Sequence, residues 1–200
     1  SAVATVSVAN VVAVNVWATM TSGTTENFQA VWGTSTSDVF ASGDNGAIRH
    51  YDGASWTGMT SGTTQQLYGV GGTSPTDVLV VGQSGTIRHY DGSSWTAMTS
   101  GTTQELRAAW AAAPTNVFVV GIAGTIIHYD GARWSAMASG TTQNLYAVWG
   151  ASRSDVFAVG DGGTILHFDG TSWTSQVSGT TSSLQDVRGA VPSDVVAVGV

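Results

Sequence analysis

Residues 145–181 read LYAVWGASRSDVFAVGDGGTILHFDGTSWTSQVSGTT, and this stretch decides the fold. It holds four short apolar runs, at 145–149, 156–159, 164–168 and 173–177, rich in Val, Ile, Leu and aromatic residues. GASRSD, GDGG and DGTS separate them and SGTT closes the unit, all clusters of the residues that make tight turns. Runs this short, with β-branched and aromatic side chains, read as strands. None is long enough for a helix or shows a 3.6-residue period. DVFAVG is apolar on both faces, which implies a sheet sandwiched between two others.

The unit repeats along the whole chain. Trp17, Trp56, Trp95, Trp134 and Trp173 are each 39 residues apart. His50, His89, His128 and His167 keep that period, as do Asp52, Asp91, Asp130 and Asp169, and SGTT recurs from Ser22, Ser61, Ser100, Ser139 and Ser178. Four antiparallel strands in about 40 residues, repeated, is the pattern of a β-propeller blade. A β-solenoid coil would use about 20–30 residues per turn and need polar caps. The sequence therefore predicts an all-β, five-bladed β-propeller of four-stranded antiparallel blades. Small residues at the centre of the first strand (Ala30, Gly69, Ala108, Ala147) suit a strand lining a narrow channel, where Asp186 places a carboxylate in the fifth unit.

Residues 1–200 read as one domain, with repeats at approximately 26–64, 65–103, 104–142 and 143–181. The C-terminal SLQDVRGAVPSDVVAVGV supplies the first two strands of a blade, and the segment ending in residues 17–20 supplies the last two. A blade shared by 1–21 and 182–200 would close the ring and remove its free edges. A domain-swapped oligomer is the alternative. Residues 1–16 contain only Ser, Ala, Val, Thr and Asn, with Val11 and Ala13 where the other units have His and Asp. Their alternation suits a strand. They are too polar for a membrane span and lack the basic start of a signal peptide.

Composition narrows the function. The net charge is −7, with 13 acidic residues against six Arg and no Lys, which disfavours nucleic-acid and anionic-membrane partners. The absence of Cys excludes disulfides, thiol nucleophiles and Cys-ligated zinc. It suits an extracellular or cell-surface location while leaving a cytoplasmic one open.

In the LYAVWG and SDVFAVGDGGTILHFDGTSW motifs the chain resembles bacterial β-propeller repeat arrays, especially those of myxobacterial secreted proteins, over residues 17–200. The DGxSW turn is reminiscent of the Asp-box of sialidase-like propellers, but here Asp and Gly are adjacent. The five-blade count is similar to that of tachylectin-type lectins, whose blade motif differs. These resemblances imply a fold, and one propeller fold hosts unrelated functions.

His50/Asp52 and its three copies stand two residues apart on a strand and share a face. Four copies in four blades favour hydrogen bonds to turn backbone and to neighbouring Ser and Trp over a metal or acid–base site. A zinc ion needs three or four ligands on one atom. The Trp of the last strand reads as packing between blades and the Met beside it (Met20, Met59, Met98, Met137) as gap filling.

Three columns vary instead. Trp32, Trp110 and Trp149 correspond to Gly71 and Arg188 in the other units. Gln29, Tyr68, Arg107, Tyr146 and Gln185 start the first strand, and Asp44, Gln83, Ile122 and Asp161 stand in the GxxG turn. The GxxG turn and the SGTT connection leave a blade on the same face, so this variation gathers at the channel mouth. The ligand-binding candidates are Gln29, Asp44, Tyr68, Gln83, Arg107, Tyr146, Asp161, Trp32, Trp110 and Trp149, with stacking by Tyr68, Tyr146 or the Trp32 column and hydrogen bonds from Asp44, Gln83 and Asp161. No catalytic, metal or cofactor motif is present, and GDGGT is a turn with no helix behind it to hold phosphate.

The expected function is a non-enzymatic binding module, a multivalent lectin-like propeller repeating one shallow site. A structural or protein-interaction scaffold is the alternative. The partner is accordingly a glycan or a protein, and the chain is expected to be a monomer. An enzyme would need asymmetric charge at the channel mouth, where only Arg107, Asp186 and Arg188 break the symmetry.

Overall fold

A computed structural model describes residues 5–7, 18–191 and 193–200. Thr5–Ser7 (β1) pairs antiparallel with Thr19–Thr21 (β2). The first full blade comprises Phe28–Ser35 (β3), Asp38–Gly43 (β4), Ile48–Tyr51 (β5) and Trp56–Met59 (β6). The second comprises Leu67–Ser74 (β7), Asp77–Gly82 (β8), Ile87–Tyr90 (β9) and Trp95–Met98 (β10). Leu106–Ala113 (β11), Asn116–Gly121 (β12), Ile126–Tyr129 (β13) and Trp134–Ala136 (β14) form the third. Leu145–Ser152 (β15), Asp155–Gly160 (β16), Ile165–Phe168 (β17) and Trp173–Gln176 (β18) form the fourth. Leu184–Val191 (β19) and Asp194–Gly199 (β20) pair as the inner half of another.

The chain is thus an all-β propeller of repeated antiparallel blades, with the strands in chain order from channel to rim. The four strands expected in residues 145–181 are all present, the first running on to Ser152. The second strands of the four full blades are sandwiched as DVFAVG implies, β4 and β8 being buried along their whole length.

The core lies between blades rather than within them. Phe118 and Val120 of blade 3 pack with Leu145, Val156 and Ala158 of blade 4, and Trp173 closes edge-on over Phe118, ring centres 6.0 Å apart. Met59, Met98 and Met137 fill the same place in successive seams, and Met20 of β2 does so against Val39 and Ala41 of blade 1. β2 therefore sits where the fourth strand of a preceding blade belongs.

One seam differs. Val31 of β3 is 59% exposed although its counterparts Val70, Val148 and Val187 are buried, and Val196 and Val198 of β20 are 58% and 55% exposed. Val195 and Ala197 of β20 pack against blade 4, so Val196 and Val198 point the other way. Among the described residues β19–β20 and β1–β2 are separate two-stranded sheets. Val11 and Ala13 lie outside the described residues.

The GxxG turn has a stereochemical reason. Asn45, Ser84, Ala123 and Gly162 take φ between 52° and 64°, and a glycine at φ of about 70° follows each. A Cβ on Gly46 would lie 2.0 Å from the Thr63 carbonyl oxygen, so the blades approach too closely there for any side chain.

Candidate functional site

The first strands of all five units surround a central cavity of about 800 Å³. Ala30, Gly69, Ala108, Ala147 and Asp186 line it, as their sequence position predicts. A Cβ on Gly69 would meet the Arg107 carbonyl oxygen at 2.7 Å, so small residues here reflect close approach of neighbouring first strands.

Gln29, Tyr68, Arg107, Tyr146 and Gln185 also line the cavity, one from each unit. The Arg107 guanidinium lies 4.2 Å from the centre of the Tyr68 ring and donates to Glu105 Oε2 at 2.5 Å, while its Nε is buried without a partner. Stacking and a charge-assisted hydrogen bond hold the cation at the mouth without consuming all its donors. Burial pushes the Tyr68 phenol up, as does the charge of Glu105. Burial also raises Tyr146, helped by its hydrogen bond to Asp161, so both phenols stay protonated at neutral pH. Arg188 and Asp186 form a looser, more exposed pair at 3.5 Å.

Asp44 and Asp161 stand beside the cavity rather than in its wall and tie neighbouring blades together. Asp44 accepts from Asn27 and Gln29 of its own blade and from Gln66 of the next, at 3.0, 3.1 and 2.6 Å. Asp161 accepts from Asn144 and Tyr146 and, across the seam, from Ser183, at 2.9, 2.9 and 2.7 Å. These hydrogen bonds hold both carboxyls below the usual range, Asn27 being the largest cause for Asp44 and Ser183 for Asp161. Gln83 and Ile122 occupy the same turn in blades 2 and 3. The two variable columns thus meet on one face: Gln29 bonds Asp44, and Tyr146 bonds Asp161.

The tryptophan column packs against the following unit while reaching the cavity. Trp32, Trp110 and Trp149 are half-buried, reach the cavity wall, and direct Cη2 at Gly72, Gly150 and Gly189 of the following unit. The two positions vary together, since Gly71 replaces Trp where the next unit has Ala111 instead of glycine.

The His–Asp expectation needs correction. The Asp of the DG turn does bond turn backbone: Asp52 Oδ1 accepts from the Ala54 and Ser55 amides, as Asp91, Asp130 and Asp169 do in their turns. The histidine does not join it, nor does it bond Ser or Trp. His50, His89 and His167 direct Nε2 at Asp38, Asp77 and Asp155, at 2.8, 2.7 and 2.6 Å. In blades 1 and 2 that carboxylate also accepts from Thr34 and Thr73. Strand pairing explains the choice, because His50 lies opposite Phe40 at the end of the strand that Asp38 begins. The last-strand tryptophans pack as expected, with the indole N–H of Trp56, Trp95, Trp134 and Trp173 buried and unpartnered. Among the described residues no three His, Asp or Glu side chains are grouped to hold a metal ion.

No protein-family model matches the chain, and no curated protein does. Solved structures do. The chain is similar to YCF48 bound to D1 peptide, with a TM-score of 0.72 and 12% identity, covering 92% of this chain and 65% of that one. It is similar to YCF48 from Cyanidioschyzon merolae, with a TM-score of 0.70 and 12% identity over 92% and 70% of the two chains. The β-propeller domain of Myceliophteria thermophila Cps50 (Swd1) gives 0.69 and 10% over 86% and 62%. The chain therefore spans 65% of the length of the first of these propellers. At such identities the likeness establishes the fold.

Proposed function

We propose that this propeller is a non-enzymatic protein-interaction module that receives a polypeptide segment at the channel mouth. One observation carries the reading. In a chain of near-identical units, the position that converges on the channel is Gln29, Tyr68, Arg107, Tyr146 and Gln185 in turn, so the mouth is one asymmetric surface rather than one site repeated. A polypeptide presents a matching irregular series of donors, acceptors and apolar groups. Aromatic and Arg anchors at the centre of a concave surface are the usual energetic core of such contacts.

Gln29, Tyr68, Arg107 and Tyr146 supply the contact surface, and Asp44 and Asp161 hold two of them in place. The partly exposed Arg107 guanidinium, held by Glu105 through one terminal nitrogen, presents its other terminal N–H groups to a backbone carbonyl or carboxylate. One structural neighbour, YCF48 bound to D1 peptide, supports the reading, because there a propeller of similar fold takes a peptide. The lectin reading draws less support: the tryptophans offered for sugar stacking are wedged between blades. No helix among the described residues is long and apolar enough to cross a membrane.

The test is selection of a random-peptide library on the immobilised protein, with a glycan array run in parallel. Enriched peptides that no longer bind a Tyr68→Ala/Arg107→Ala variant of unchanged Tm uphold the proposal. A silent peptide selection beside selective glycan binding overturns it.

A further inference from the structure

The fifth unit departs from the others inside the channel. Where the other four carry Ala30, Gly69, Ala108 and Ala147 it carries Asp186, and two residues on, where three of them carry Trp, it carries Arg188. Both line the central cavity. A β-bulge brings Asp186 there together with its neighbour. Each first strand shifts register beside the mouth residue, between Leu184 and Asp186 in the fifth unit, so Gln185 and Asp186 both reach the cavity although they are consecutive.

Among the described residues Asp186 is the one carboxylate in the cavity wall, and it is less committed than the carboxylates beside the mouth. Asp44 and Asp161 each accept three side-chain hydrogen bonds at 2.6–3.1 Å, and Glu105 is tied to Arg107 at 2.5 Å. Asp186 takes the N–H of its neighbour Val187 on Oδ1 at 2.9 Å, and its Oδ2 stands 3.5 Å from Arg188 Nε. Its side chain is 43% exposed and that of Arg188 is 69% exposed. A carboxylate offers about four acceptor sites, so most of the capacity of Asp186 is unspent. Set in a wall of alanine and glycine, its field is also stronger than on an open surface.

We infer that Asp186 receives one basic side chain, lysine or arginine, of the segment bound at the mouth. The inference rests on the polypeptide reading of that mouth and adds what the channel selects. In lysine and arginine an apolar stem carries the charge away from the backbone. Here the stem lies along Ala30, Gly69, Ala108 and Ala147 while the head reaches Asp186, and Tyr68 and Arg107 hold the backbone at the rim. The incoming cation displaces the exposed Arg188, and the net charge of −7 draws a basic segment in. An acidic side chain would meet like charge here, and an apolar one would leave the carboxylate without a partner.

The test uses peptides selected from a random library on the wild-type protein. Enriched sequences are expected to share Lys or Arg at one position. Replacing that residue by norleucine, which keeps an apolar stem and removes the charge, is expected to weaken binding about tenfold. The norleucine peptide is expected to bind wild type, Asp186→Asn and Asp186→Ala alike, Ala being the residue that three other units carry. In both variants the basic peptide should exceed it by less than about twofold. Arg188→Gln, which removes the competing cation, is expected to tighten the basic peptide. Enriched peptides with no shared basic position, or a norleucine loss equal in wild type and the Asp186 variants, overturn the inference and leave the polypeptide reading standing. A loss that follows acetylation of the peptide N-terminus instead of norleucine also overturns it, because the cation is then an α-ammonium. A selection that enriches no peptide overturns both.

Discussion

The Cη2 atom of Trp110 lies 2.5 Å from the point where Gly150 would carry a Cβ, so this tryptophan and glycine of successive units are cut to fit each other. The chain contains its own control, because the unit with Gly71 in place of Trp is followed by the unit with Ala111 in place of Gly. Gly150→Ala is expected to destabilise by about 1–3 kcal/mol through overpacking, a fall of several degrees in Tm. Trp110→Gly alone also destabilises, by opening a cavity. The double variant copies the Gly71/Ala111 pair and should be more stable than the sum of the single effects. Thermal unfolding of the four proteins checks this, and simple additivity would show that the contact carries no coupling.

Acid stability depends on the aspartates of the DG turns. The Ser93 hydroxyl, with the Ser94 and Ser93 amides, lowers Asp91 from an ordinary 3.8 to about 2. Asp52, Asp130 and Asp169 are lowered by the turn amides, chiefly those of Ser55, Arg133 and Ser172. A depressed folded-state value means stability that is present above the unfolded-state value and lost as pH falls through the folded one. Tm is therefore expected to fall between about pH 4 and pH 2 and to fall less in Asp91→Asn, which binds no proton there. A variant with the wild-type slope would show that Asp91 does not set the acid stability.

If β1–β2 and β19–β20 form one blade, their registers fix which residues meet. β1 pairs with β2 so that Val6 lies opposite Met20, as Ile48 lies opposite Met59 in blade 1. Ile48 in turn lies opposite Ser42, whose counterpart in β20 is Val198. Joining the halves puts Val6 beside Val198. Since the protein has no Cys, Val6→Cys with Val198→Cys should give one intramolecular disulfide, visible by mass before and after reduction. A disulfide-linked dimer would indicate that the halves are exchanged between two chains.

The fold was legible because one 39-residue period carries turn, strand and core signals together, each supporting the others. Ala147 at the channel and Met98 in the seam follow from position within the unit. The partner of His50 did not follow. Sequence spacing draws attention to Asp52, two residues away, whereas pairing between β4 and β5 brings Asp38 to the imidazole. The signal was present, since an acidic residue opens the second strand wherever the histidine is paired and Asn116 stands where it is not. The variable columns were identifiable as variable, but their division into a channel wall (Tyr68, Arg107, Tyr146) and inter-blade ties (Asp44, Asp161) depends on side-chain direction, which spacing does not encode.

A polypeptide bound at the asymmetric mouth around Arg107 and Tyr68 would lose its anchors when both side chains are removed. The most direct measurement is calorimetric titration of a peptide selected on the wild-type protein into wild type and into Tyr68→Ala/Arg107→Ala. Loss of two such anchors should weaken binding at least about 30-fold while Tm changes by only a few degrees. Equal affinity for both proteins would contradict the claim and place the peptide elsewhere on the propeller.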